Sequence, residues 1–147
     1  MTEAGEATGR LIYDMLRLAN QLTTAGDTLL ADLGFTSARW QILGTLGHSS
    51  ASLTVPQLAE RLGQSRQAVQ RIANDLESAT LIAFTANPAH KRSPFVTLTA
   101  AGREMHQRIE MRRTPWTEGL AAGLAVADLE AARRVLGNLG HRLDAGQ

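Results

Sequence analysis

The chain has 147 residues, with 15 Lys and Arg against 14 Asp and Glu and no cysteine. That length supports one domain with a proper core, or one domain plus helical arms. A formal charge of +1 does not by itself announce a nucleic-acid partner, and the lack of cysteine excludes disulfides, thiolate-bound zinc and thiol redox sensing. No apolar run approaches the roughly 18 residues of a membrane span, and the polar start MTEAGEATGR is not a signal peptide. A soluble, cytoplasmic protein is expected.

Charge is unevenly placed. From Met1 to Thr36, two arginines face five acids, a net of −3; from Arg61 to Arg92, five basic residues face two acids, a net of +3. The positive surplus therefore falls in the middle of the chain.

Residues 1–9 are small and polar and are expected to fray. From Arg10 to Leu33, Leu11, Met15, Leu18, Leu22, Leu29 and Leu33 recur at helical spacing, with Gly26 in one slot and Gly34 as the stop. Thr36 is placed to cap a second helix, with Phe35 and Trp40 as a hydrophobic staple and Ile42, Leu43 and Leu46 as the buried face. His48 to Ser52 forms a polar loop.

The stretch TVPQLAERLGQSRQAVQRIANDLE, Thr54 to Glu77, carries the strongest pattern. Thr54 and Gln57 form a capping box, Leu53 and Leu58 a staple, and Pro56 sits in the first turn, where its missing N–H costs little. Gly63 suits a left-handed helix stop. Ser65 caps a second helix whose apolar face is Val69, Ile72, Ala73 and Leu76. Arg66, Gln67, Gln70 and Arg71 lie off that face. Arg and Gln make paired hydrogen bonds to guanine and adenine edges, so this is the helix-turn-helix arrangement for a major groove. A plain αα-hairpin with a solvated face is the alternative.

Leu81–Ala86 and Phe95–Leu98 read as strands of a hairpin whose tip, Asn87 to Pro94, is polar and basic. A helix-turn-helix followed by such a hairpin is a winged helix, and Lys91 and Arg92 suit phosphate or a narrow minor groove. An ordinary surface hairpin is the other possibility. Thr99 caps a further helix to about Arg113, Thr114-Pro115 reads as a break or kink, and Asp128 opens a last helix with Leu129, Ala132, Leu136, Leu139 and Leu143. The apolar terminal helices are expected to pair with those of a second subunit, a monomeric bundle being the alternative. The expected class is mainly α with a small β-hairpin wing (α+β): one domain, residues 1–147, with a DNA-binding lobe at 36–99 and a helical dimerisation region at 10–34 plus 100–145.

The blocks SARWQILGTL, LTVPQLAERLGQSRQAVQRIANDLE, the LI before the wing and VTLTAAG after it resemble the MarR-type winged-helix regulators. The resemblance spans about Leu11 to Leu143 and is specific in the middle third. It implies a homodimeric, double-stranded-DNA-binding transcription factor, mostly a repressor in this family, released by a small and often aromatic effector. It places the recognition positions on Ser65, Arg66, Gln67, Gln70 and Arg71, beside Thr54 at the head of the motif, and the wing arginine on Arg92. Wings of this family usually begin Asp-Arg-Arg; here the run is His90-Lys91-Arg92, so the steadying acid is absent and His90 is a candidate for pH sensitivity. An effector pocket, if present, is expected near Tyr13, Arg17, Trp40 and Leu43.

No enzyme constellation is found: Gly63-Gln64-Ser65 is not a nucleophile elbow, and there is no glycine-rich phosphate loop. No cofactor is expected. His48, His90, His106 and His141 are dispersed along the chain, and only His106 and Glu110, four apart, share a helix face. Two rivals remain: a winged-helix protein-interaction module that binds no DNA, and a metal-responsive regulator.

Overall fold

The computed structural model describes residues 1–146. Helix α1 spans Glu3–Leu30 and passes through a short 3-10 turn, Ala31–Leu33, to Gly34 in the left-handed region. Helix α2 spans Ser37–His48, β1 Leu53–Thr54, α3 Val55–Leu62 and α4 Arg66–Ser78. Strands β2 (Ile82–Thr85) and β3 (Phe95–Leu98) precede α5 (Ala100–Ala121) and α6 (Val126–Ala145). The chain divides into two units, Met1–Arg113 and the helical segment from Thr114 onward.

The expected caps form. Thr36 accepts from the Arg39 amide, Ser65 from the Ala68 amide, and Thr54 and Gln57 close a reciprocal capping box. Two boundaries differ from expectation. The first residues are helical rather than frayed, because the Thr2 hydroxyl caps the Gly5 amide and Glu3 and Glu6 lie in the first turn, where the helix dipole favours acids. The last helix starts at Val126, before Asp128, with no side-chain cap.

Helix α5 runs through Pro115 without stopping. An interior proline removes one hydrogen bond, at a cost of about 3 kcal/mol. Here the carbonyl that loses its partner belongs to Met111, whose residue is exposed, so water can replace the bond. The sequence signal marks a real boundary of another kind, since the two units meet in the chain at Arg113 and Thr114.

The sheet has the order β1-β3-β2, all antiparallel, with Leu53 opposite Val96 and Ile82 opposite Leu98. Strand β1 has no sequence signature: two residues cannot show alternation, and only pairing with β3 makes them a strand. The core of the first unit gathers Leu30, Ile42, Leu43, Leu58, Val69, Leu76, Ile82, Val96 and Ile109, each at most 2% exposed.

A tight joint connects α4, the wing and α5. Thr80 adopts φ +62°, and the Leu81 amide reaches back to the Leu76 carbonyl, closing α4 with a left-handed residue that is not glycine. The Thr99 amide donates to the Leu81 carbonyl and its hydroxyl to the Thr80 carbonyl. The same hydroxyl accepts from the Gly102 amide, as expected for the cap of α5. Gly102 lies against the Leu81 carbonyl so closely that a Cβ there would overlap the oxygen.

Candidate nucleic-acid interface

Helix α4 is held from behind. Val69, Ala73 and Leu76 are buried in the core, and Gly63, at φ +63°, turns the chain out of α3 into the Ser65 cap. This fixes which side of the helix meets solvent, and Arg66, Gln67, Gln70 and Arg71 are all on it. They line a groove of about 690 Å³ together with Arg92, Ser93 and Pro94 of the wing. Residues more than 20 positions apart in sequence thus converge on one concave surface.

Three arginines and one aspartate, Asp75, line that groove, a formal surplus of +2. Asp75 also faces Arg39 of α2 at 4.0 Å, which offsets its charge. Two groove residues of α4 are not among the expected contacts. Asn74 accepts a hydrogen bond from the Gln70 side chain at 2.9 Å, which preorients the Gln70 amide; its spacing of four from Gln70 is the signal that could have found it. Asp75 is the other.

The wing tip has its own organiser. Asn87 is 6% exposed; its side-chain amide donates to the Ser93 carbonyl and its side-chain oxygen accepts from the Ala89 amide. It therefore ties together the two ends of the loop bearing Lys91 and Arg92. Lys91 and His90 are exposed on this loop. Among the expected recognition positions, Ser65 is exposed but spends its hydroxyl on the helix cap. Thr54 departs further: it is 7% exposed and its hydroxyl is engaged in the capping box, so its place is at the foundation of the motif rather than on its surface.

The expected effector residues differ in exposure. Tyr13 is 78% exposed and Arg17 is exposed on α1, while Leu43 is fully buried in the core. Helical spacing puts Leu43 on the innermost face of α2, where contact with a ligand would require opening the core. Trp40 does border a groove of about 440 Å³, with Gln41, His48, Arg61, Glu110 and Arg113.

A second cluster lies where the end of α2 meets α5. His48 and His106 pack edge to face with ring centroids 5.0 Å apart, and both face Glu110. The histidines that look dispersed in sequence include two that are neighbours in space, because α2 ends against α5. Arg113 holds Glu110 through two hydrogen bonds, Nε to Oε1 at 2.8 Å and a terminal nitrogen to Oε2 at 2.7 Å. That pairing keeps the Glu110 carboxyl below its ordinary range. Burial pushes the His106 imidazole down, against the opposing pull of Glu110.

The MarR family model matches residues 33–93, the segment that supplies all of the α4 groove but Pro94. An uncharacterized protein of Mycobacterium tuberculosis is 43% identical over 124 residues, covering 84% of this chain and 85% of its own. The structure of a MarR/EmrR family transcriptional regulator from Acinetobacter sp. ADP1 superposes with a TM-score of 0.82 at 22% identity, covering 99% of each chain. The MepR–DNA complex of S. aureus superposes at 0.75 with 20% identity, covering 86% of this chain and 93% of that one. Fold, sequence match and groove agree: the chain belongs to the MarR family of winged-helix transcription regulators.

Proposed function

We propose that the protein is a homodimeric repressor that binds a palindromic operator, with α4 of each subunit in a major groove and each wing at the flanking minor groove. The observation that carries this reading is the single groove uniting Arg66, Gln67, Gln70 and Arg71 with Arg92. Arginine and glutamine there can pair with guanine and adenine edges, and Arg92 suits the negative potential of a narrow minor groove. The likeness to MepR, whose structure is a DNA complex, supports DNA as the partner. In this reading residues 36–99 form the DNA-binding lobe, and residues 10–34 with 100–145 form the dimerisation region. Leu11, Ile12, Leu16, Leu18 and Leu22 of α1 are exposed, as are Leu129, Val135, Leu136 and Leu143 of α6, a combination that favours burial against a second copy. Recognition helices about 34 Å apart would then read successive turns of one DNA face. Repression is what the family resemblance implies, and a role on DNA places the protein in the cytoplasm. Release by a small aromatic ligand is supported by the groove beside Trp40, where Arg61 offers a cation.

Selection of duplexes from a random pool tests the reading. Arg66→Ala or Arg71→Ala should then cost about 1–3 kcal/mol in binding and relax preference at one base pair. Arg92→Ala should weaken binding and make the salt dependence shallower by about one unit. Absence of any salt-dependent duplex binding by the parent would instead favour a protein-interaction module.

A further inference from the structure

We propose that His48, His106 and Glu110 form a three-ligand site for a divalent first-row transition ion of the zinc type, joining the end of α2 to α5. One ligand atom from each residue lies within 4.8 Å of the others: His48 Nε2 is 3.7 Å and His106 Nε2 3.9 Å from the same Glu110 oxygen. Bonds of about 2.0–2.1 Å in a tetrahedral shell hold ligand atoms roughly 3.3–3.5 Å apart, so the set is open by an ångström or so. His48 ends its helix and is exposed, which leaves its side chain free to close that gap.

The second observation is at His106. Its Nε2 is buried and has no hydrogen-bond partner among the described residues. A buried polar atom is nearly always satisfied, and one left open calls for a missing partner. The partner it faces is the centre of this cluster. Gly47 contributes as well, because a Cβ there would come within 2.6 Å of the His106 ring; only glycine lets the imidazole lie against the end of α2.

The donor set decides the ion. Two imidazole nitrogens and one carboxylate oxygen suit zinc and its neighbours, whereas calcium and magnesium want oxygen throughout. Three protein ligands leave the fourth position of a tetrahedron to water. Arg113 competes for Glu110 but need not leave: its bond to Oε2 can persist while Oε1 turns to the ion, making Arg113 an outer partner that orients the ligand. Helix α2 also carries Arg39, which faces Asp75 in the α4 groove, so an ion at the far end of α2 is linked to the interface through one rigid element.

The site is tested with the full chain stripped by chelator and titrated with zinc against a chromophoric competitor, and with cobalt for its tetrahedral visible bands. One ion per chain is expected. His48→Ala, an exposed substitution whose fold is checked by circular dichroism, should lower affinity at least about tenfold, as should His106→Gln and Glu110→Gln. His90→Ala and His141→Ala should leave it unchanged. Cobalt bands that vanish in His48→Ala would assign that nitrogen directly. Equal affinity in parent and His48→Ala, or substoichiometric binding without tetrahedral cobalt bands, overturns the site. Neither readout depends on DNA binding, so failure here and failure of the operator reading are separate results.

Discussion

Helices α4 and α6 are both amphipathic, yet one is finished within the chain and the other is not. Helix α4 buries Val69, Ala73 and Leu76 and turns its arginines outward. Helix α6 buries none of its residues, although leucines recur along it. An apolar stripe therefore reports that burial is required, not where it happens. For α4 the covering surface is the core of its own unit, while for α6 a second copy is the proposed cover.

The sharpest way to break this contrast is Leu136→Glu. If α6 is covered by a symmetric partner, the change removes a buried leucine twice, at about 1.5–3 kcal/mol each, and adds two buried charges. Sedimentation should show monomers where the parent is a dimer, while the thermal transition of the first unit persists. A parent that sediments as a monomer would end the pairing argument. On the other side of the comparison, Gly102→Ala forces a methyl group into the Leu81 carbonyl at the joint supporting the wing. It should destabilise by about 1–3 kcal/mol, read from a denaturant midpoint, without changing the association state.

Thr80→Gly should move stability the other way. A β-branched residue at φ +62° is strained, and glycine relieves roughly 1 kcal/mol, less the loss of the threonine contacts. A lower melting temperature would mean that the hydroxyl bond to the Ala79 carbonyl outweighs the strain. The smallest effect is expected at Arg112, which donates to the Leu29 carbonyl and pairs with Asp32, clasping the end of α1. The hydrogen bond from Arg112 holds the Asp32 carboxyl below its ordinary value. A depressed carboxyl contributes stability that is present above its unfolded pKa of about 3.9 and is lost as pH falls through the folded value. The gap in urea midpoint between parent and Arg112→Gln should therefore narrow from about pH 7 to about pH 2.

Much of the lobe was legible in the chain because its signals are local. Caps at Thr36, Thr54, Ser65 and Thr99, the left-handed Gly63 and the faces of α3 and α4 each depend on residues within one or two turns. A break at Pro115 does not occur, because its cost depends on whether water can reach one carbonyl, which is a property of the folded surface. Helical spacing marks Leu43 as an inward side chain without saying whether a cavity or a core awaits it.

Local chemistry thus accounts for the helix-turn-helix, the hairpin and the outward arginines of α4, since hydrogen-bond caps and apolar periodicity act over a few residues. Pairing of β1 with β3, the clasp of Asn87 across the wing and the meeting of Arg92 with the α4 groove need the folded chain. So does the convergence of His48 on His106 and Glu110, which stand 58 and 62 positions further along the sequence. No spacing rule spans such a separation. Only the packing of α2 against α5 brings those side chains together.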